Sequence, residues 1–385
     1  MYSINRRPLL GGASDSEFED DIETEVDDSN ISIPDEKPFL KSYEPQDKIS
    51  LTVRMVGSQC TILLLFIMTT TFVEVNTDKW QNQFLIITLA TVAVVNAASA
   101  IFGGSLMGIV GKFSPKYITA MSGGQALGGI FTALAEVCSL WIGASPALSG
   151  LMYFIIGDIV LLLSLIAYII LERAPFFKHH IIEKVPDRAK SDYSINGEVS
   201  FSTDSNVSYT RIIKRIWHYG ISIFLVFFIT LAVYPAITVL VESQYKGKGH
   251  AWNDIYFVPV VTYLIFGLGD YAGRVLSGIF QWPKGNPWLV MFMSVARSVF
   301  IPVIMFCNAQ PRHHLPVYIH NDIYYILITV MFAITNGYLC NLTFILVPTI
   351  VDSQEKEVAS AMMGAFLGIG LASGAPLSLY MVKAL

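Results

Sequence analysis

Nine stretches of this chain are apolar and long enough to cross a bilayer, and that repetition limits the fold more than any other feature. They lie near residues 53–74, 84–110, 117–141, 148–171, 217–241, 254–280, 287–307, 323–348 and 358–382. A hydrocarbon core about 30 Å thick needs roughly 20 apolar residues of helix to span it. Inside that core no water is available to a free N–H or C=O, so each run must satisfy its own backbone as a helix. Composition agrees: hydrophobic residues make up 53% and charged residues 14%, against about 25% charged in an ordinary soluble domain. The expectation is an all-α, polytopic helical membrane protein.

The sixth run, DIYFVPVVTYLIFGLGDYAGRVLSGIFQW (254–282), carries Asp270 and Arg274 near its middle. A charge at that depth costs about 2.5–3.5 kcal/mol on insertion scales, so it needs a reason. Four residues apart on a helix, the two side chains share a face and pair. Gly269 and Gly273 beside them allow a neighbouring helix or a ligand to approach the backbone closely. Two readings stand at this point. The carboxylate accepts from hydroxyls and the guanidinium offers a rigid fork of donors, which together fit a neutral diol or a sugar edge. Alternatively, the pair only locks two helices.

Other polar residues within the runs are Asn96, Gln125, Asp158, Arg297 and Asn336. Each is expected to face a bundle interior or a wet cavity rather than lipid. Arg297 has no acidic residue within one turn, so its partner lies on another helix. Asp158 is the acid available for a bridge to it, and is alternatively a proton-sensitive site, as is Glu136. Small residues four apart at Gly104/Gly108, Gly124/Gly128, Gly364/Gly368 and Gly370/Gly374 predict close helix packing.

Charge is unevenly spread. Residues 1–50 hold 13 acidic and 5 basic side chains, a net of −8, which leaves +3 on the remainder. This acidic stretch lacks hydrophobic periodicity and reads as a disordered cytoplasmic tail. Within it Leu9 and Leu10 form a candidate dileucine sorting signal. No cleavable signal peptide opens the chain, so the first run is expected to direct insertion itself. The polar segment 172–216 divides the helices into a four-span bundle (51–171) and a five-span bundle (217–385). Lysine and arginine placement, twelve on one side and four on the other, puts the N-terminus in the cytoplasm and Leu385 outside or in a lumen. The sequons at Asn30, Asn206 and Asn341 then escape glycosylation.

Several function classes are excluded. No basic face suggests nucleic acid. HExxH, GxSxG and GxxxxGK[ST] are missing, so no enzyme activity and no catalytic residue is expected. All seven histidines lie in loops or at span edges, including His179 and His180. Cys60, Cys138, Cys307 and Cys340 fall inside runs without metal-ligand or redox spacing and read as small apolar residues. Neither a metal nor a cofactor is expected.

Several segments in order carry a family resemblance: SAIFGGSLMGIVGKFSPKYITAMSGGQALGG in the first half, then GDYAGRVLSGIFQWP, ARSVFIPVIMFCNAQPR, TNGYL and AMMGAFLGIGLASGAPLS. They resemble the equilibrative nucleoside transporters, from about residue 50 to 385. VNTDKW, and YPAI followed by VES and KG, look closest to the lysosomal branch. The resemblance implies a major-facilitator-like fold of two facing bundles and passive transport of nucleosides, sometimes nucleobases, by alternating access. It implies nucleosides and the lipid bilayer as partners, a homo- or hetero-oligomer as an option, and residence in the plasma membrane or the late endosomal or lysosomal membrane. In the family the aspartate and arginine of a DxxGR motif engage the ribose. That motif falls on Asp270 and Arg274, which favours the binding reading of the pair. Gln125 matches the glutamine of a family SGQGLAG segment and Asn336 matches the NGYL motif, which adds both to Asp270 and Arg274 as candidate substrate-binding residues, with helix packing the other reading of Gln125.

There are two departures. The place of a fourth-span glutamine that reads the nucleobase in one family member falls on Gly103, so base preference does not carry over. Family members also begin with two further spans, the first bearing a PWN motif, whereas here the acidic tail runs into what corresponds to the third. That suggests a second expectation: a shortened, non-transporting form that associates with and regulates a full-length transporter.

Overall fold

In a computed structural model of the chain, residues 50–77, 79–143, 146–175, 177 and 208–385 are described. The Leu9–Leu10 signal, nearly all of the acidic tail, most of the 172–216 segment, His179, His180 and the sequons at Asn30 and Asn206 lie outside them. Residues Ile49–Leu385 form one compact unit.

Every apolar run becomes helix. The first four are α1 (Leu51–Phe72), α2 (Gln81–Val110), α3 (Pro115–Ile142) and α4 (Pro146–Arg173). The fifth is α5 (Tyr209–Val233). The sixth is wound in π turns over Trp252–Tyr256 and Pro259–Ile265 and becomes regular only in α6 (Phe266–Ile279). Pro259, with no N–H to donate, opens the second π segment, where the hydrogen-bond register has to change. A 3₁₀ turn at Arg297–Val299 joins α7 (Pro287–Ala296) to α8 (Phe300–Met305). The last two helices are α9 (Asp322–Ile350) and α10 (Lys356–Ala384). Eight helical segments among the described residues are long and apolar enough to cross a membrane, and this is a polytopic helical membrane protein. The expected sixth span is absent from that eight because only its second half is regular α-helix.

Local chemistry sets the helix starts. Ser50, Ser208, Asn286 and Asn321 each accept a hydrogen bond from a backbone N–H in the first turn of the following helix, satisfying donors that a helix leaves orphaned. Pro115 opens α3 at a position where its missing N–H costs nothing. The same helix ends at Gly143, whose φ of 68° is left-handed.

α9 is the central element. Of its most apolar window 72% is buried, against 6% for α2 and for α4, so α9 is enclosed by protein while α2 and α4 turn apolar side chains such as Leu89 and Leu163 outward. One apolar cluster packs Ile216 and Ile223 of α5 with Leu342 and Ile345 of α9 and Met363 of α10. A second packs Ile229, Val261, Ile304 and Phe332. A third, smaller cluster joins Met55, Ile109 and Tyr168 of the first four helices.

Glycines allow the closest approaches, at some of the expected positions and not at others. A Cβ on Gly370 would come within 2.6 Å of the Phe224 carbonyl, and one on Gly374 within 2.7 Å of the Phe228 carbonyl. Gly104, Gly124, Gly128, Gly364 and Gly368 face open space instead, so the four-residue spacing does not produce packing there.

The loop between α8 and α9 is built around Arg312. Its guanidinium donates to the carbonyls of Ala309 (3.0 Å), Leu315 (3.1 Å), Pro316 (3.0 Å), Met305 (2.5 Å) and Cys307. Burial pushes this guanidinium down from its usual value, yet an arginine stays protonated at neutral pH. Arg312→Ala leaves those acceptors without their donor. It is expected to destabilise the protein by about 1–3 kcal/mol, read as a lower melting temperature in detergent. An unchanged melting temperature would show that the loop does not depend on this side chain.

Candidate functional site

α6 presents Asp270 and Arg274 on one face, four residues apart, and both are buried. Arg274 Nε donates to Asp270 Oδ2 at 2.8 Å. Arg274 Nη1 crosses to α3, where it donates to the Ser122 carbonyl (3.0 Å), Ser122 Oγ (2.8 Å) and Gln125 Oε1 (3.2 Å). The other carboxylate oxygen, Asp270 Oδ1, accepts from Asn336 Nδ2 of α9 at 2.7 Å. Asn336 Oδ1 in turn accepts from Thr230 Oγ1 of α5 at 2.7 Å and from Arg297 Nη2 at 3.3 Å. The cluster thus ties α3, α5, α6, α9 and the turn after α7 together through polar side chains, deep among apolar ones.

Tight backbone packing places it. A Cβ on Gly273 would strike the Ile334 carbonyl and approach the Tyr338 amide at 2.7 Å, and one on Gly337 would strike the Asp270 carbonyl. Only two facing glycines let α6 and α9 approach this closely. Asn341, fully buried one turn further along α9, donates to the Arg274 carbonyl (2.9 Å), Ser277 Oγ (2.9 Å) and Thr119 Oγ1 (3.1 Å), pinning the next turn of α6.

The cluster has unused capacity. Each Asp270 oxygen takes one hydrogen bond, and a carboxylate has about four acceptor sites. Arg274 Nη2 makes no hydrogen bond among the described residues. Gln125 is exposed although its partner Arg274 is buried, so the cluster reaches an accessible surface along α3. A separate cleft of about 260 Å³ is lined by Arg54, Ile101, Gly104, Ser105, Gly108 and Glu357 and includes no member of the cluster. Lys112 Nζ holds Glu357 at its edge at 2.5 Å.

The structure brings four expected residues together: Asp270, Arg274, Asn336 and Gln125. It corrects two other expectations. Arg297 and Asp158 do not bridge. Arg297 is buried and donates to the Phe332 carbonyl (2.9 Å), Thr335 Oγ1 and Thr230 Oγ1 (2.9 Å). Asp158, on α4, accepts from Thr70 Oγ1 of α1 at 2.7 Å. Asn96 faces outward rather than into the bundle, because its Nδ2 satisfies itself on the Val92 carbonyl of its own helix at 2.8 Å. Ser122, Thr230 and Asn341 escaped the sequence reading. Hydroxyls are common in apolar helices, and Asn341 stood out only as a sequon. Ser122 lies three residues before Gln125 on α3, a same-face spacing that was a readable signal, whereas Thr230 sits on α5, which holds neither Gln125 nor Asn336. Among the described residues no group of three or more His, Cys, Asp or Glu side chains could hold a metal ion.

A bundle of apolar helices enclosing a charged, hydrogen-bonded cluster is the arrangement of an intramembrane polar site. Comparison with known proteins narrows this. The profile of the nucleoside transporter family matches residues 89–383. Equilibrative nucleoside transporter 1 of Rattus norvegicus is 33% identical over 365 residues, covering 90% of this chain and 79% of the relative. Equilibrative nucleoside transporter 2 of Homo sapiens is 33% identical over 367 residues, covering 87% and 79%. Equilibrative nucleoside transporter 3 of Rattus norvegicus is 29% identical over 338 residues, covering 85% and 71%. The chain belongs to the nucleoside transporter family.

Proposed function

We propose that this chain carries nucleosides passively across a membrane by alternating access, and that Asp270 and Arg274 engage the ribose hydroxyls. The observation that carries the reading is the α6 pair itself: buried, linked to Gln125 at an accessible edge, with acceptor sites on Asp270 and one arginine nitrogen unused. A ribose diol has two hydroxyls that each donate and accept, which an acid beside a guanidinium can match. Membership of the family and the names of its relatives support the substrate class.

In this reading the helices before and after residues 172–216 are the two moving halves. Arg274 links them, since it sits on α6 and grips Ser122 and Gln125 on α3. The excess of lysine and arginine on one set of loops supports an N-terminus in the cytoplasm.

Reconstituted vesicles provide the test. Labelled uridine and adenosine should enter by a saturable route, compete with each other, and stop at equal concentrations inside and out. No saturable uptake by a folded, reconstituted sample overturns the proposal. Accumulation above equilibrium overturns the passive mechanism and leaves the site assignment standing.

A further inference from the structure

Arg297 is the largest fully buried side chain in the described structure, and its place in the cluster is unusual. Every acceptor it touches is neutral: the Phe332 carbonyl, Thr335 Oγ1, Thr230 Oγ1 and Asn336 Oδ1. Its guanidinium carbon lies 4.8 Å from the centre of the Phe332 ring. Its Nε is buried without a partner, and no carboxylate pairs with it among the described residues. A buried cation costs several kcal/mol when unpaired. The acid connected to it is Asp270, one amide away through Asn336.

That amide has two orientations, and only one satisfies both neighbours. As found, Asn336 Nδ2 donates to Asp270 Oδ1 and Asn336 Oδ1 faces the donors Arg297 and Thr230. Turned over, its NH₂ would meet a guanidinium and its oxygen would meet a carboxylate. Thr230 cannot enforce the choice alone. Its hydroxyl has one proton, for which the Val226 carbonyl competes at 2.7 Å. Arg297 has no acceptor capacity and keeps its protons, so it is the donor that decides.

We propose that Arg297 is a positioning residue for nucleoside selectivity: it orients the Asn336 amide, which holds the Asp270 carboxylate in the rotamer that meets the ribose diol. Arg297 itself does not touch the substrate, since it is buried behind Asn336. The inference rests on the diol reading of Asp270 given above.

The test is the ratio of binding constants for uridine and 2′,3′-dideoxyuridine on the purified full chain. Wild type should prefer uridine. Arg297→Met, which keeps the length and loses the donors, should reduce that preference at least tenfold through weaker uridine binding, with dideoxyuridine affinity unchanged. Arg297→Lys keeps the cation without the fork, so it cannot hold the Phe332 carbonyl and the Asn336 amide together. It should lose at least threefold, and it provides the measurement should the methionine variant not fold. A folded variant that keeps the wild-type ratio overturns the relay. So does one that loses both ligands equally, since that marks a general packing role. A wild type that binds neither nucleoside, or both alike, refutes the diol reading before any variant is made, and takes this inference with it.

Discussion

Asp270→Asn should abolish saturable ribonucleoside uptake while leaving a folded protein. The substitution keeps the shape of the side chain and removes its charge. Arg274 then loses its partner at 2.8 Å, and the new amide must set its own NH₂ against either the guanidinium or the Asn336 NH₂. The lost charge-assisted bonds are worth about 1.5–3 kcal/mol each, so affinity should fall by tenfold or more. The effect on folding is smaller than for Asp270→Ala, which leaves Arg274 buried with no acceptor at that position and should cost about 3–5 kcal/mol. A double variant, D270N with R274M, discriminates the roles. It removes both charges of the pair, so its melting temperature should match or exceed that of D270N, while uptake stays absent. Ribonucleoside uptake by D270N at the wild-type rate would mean that the pair is only a structural lock.

The second large effect concerns backbone rather than charge. Gly337→Ala puts a methyl group onto the Asp270 carbonyl and 3.0 Å from the Arg274 amide. Neither atom can step aside, because each belongs to the backbone of a regular helix in the most enclosed part of the molecule. Overpacking of this kind costs typically about 1–3 kcal/mol. Relief by separating α6 from α9 would also pull Asn336 from Asp270. Folded yield and uptake should therefore fall together, unlike in D270N. Gly57→Ala on α1 is the control. Its methyl group meets open space, and the change should leave the melting temperature the same or slightly raised. A Gly337→Ala protein with wild-type melting and uptake would show that the two helices part easily.

Much of this was readable in the residues, for a physical reason. Lipid offers the backbone no hydrogen bonds, so an apolar run of sufficient length has one regular solution. Every expected run accordingly appears as helix, even the sixth, whose first half is wound in π turns. Asp270 and Arg274 were legible because a charge in such a run is expensive and helix periodicity alone puts residues four apart on one face. Gln125 and Asn336 stood out as polar residues in apolar runs, and the family motifs tied them to the same site.

What the residues did not disclose is which polar groups in different helices meet. Pairing Arg297 with Asp158 was reasonable by charge and wrong by geometry, since α4 gives Asp158 to Thr70, and α9 and α5 surround Arg297 with neutral oxygens. Asn96 could have faced inward or outward with equal justice until its helix was placed. Identical glycine spacings gave tight contacts at Gly370 and Gly374 and open space at Gly124 and Gly128. Chain-local forces decide whether a segment is a helix and which residues share its face. Which face turns inward, and which helix supplies the partner, depends on packing many helices at once, and only the tertiary structure records that outcome.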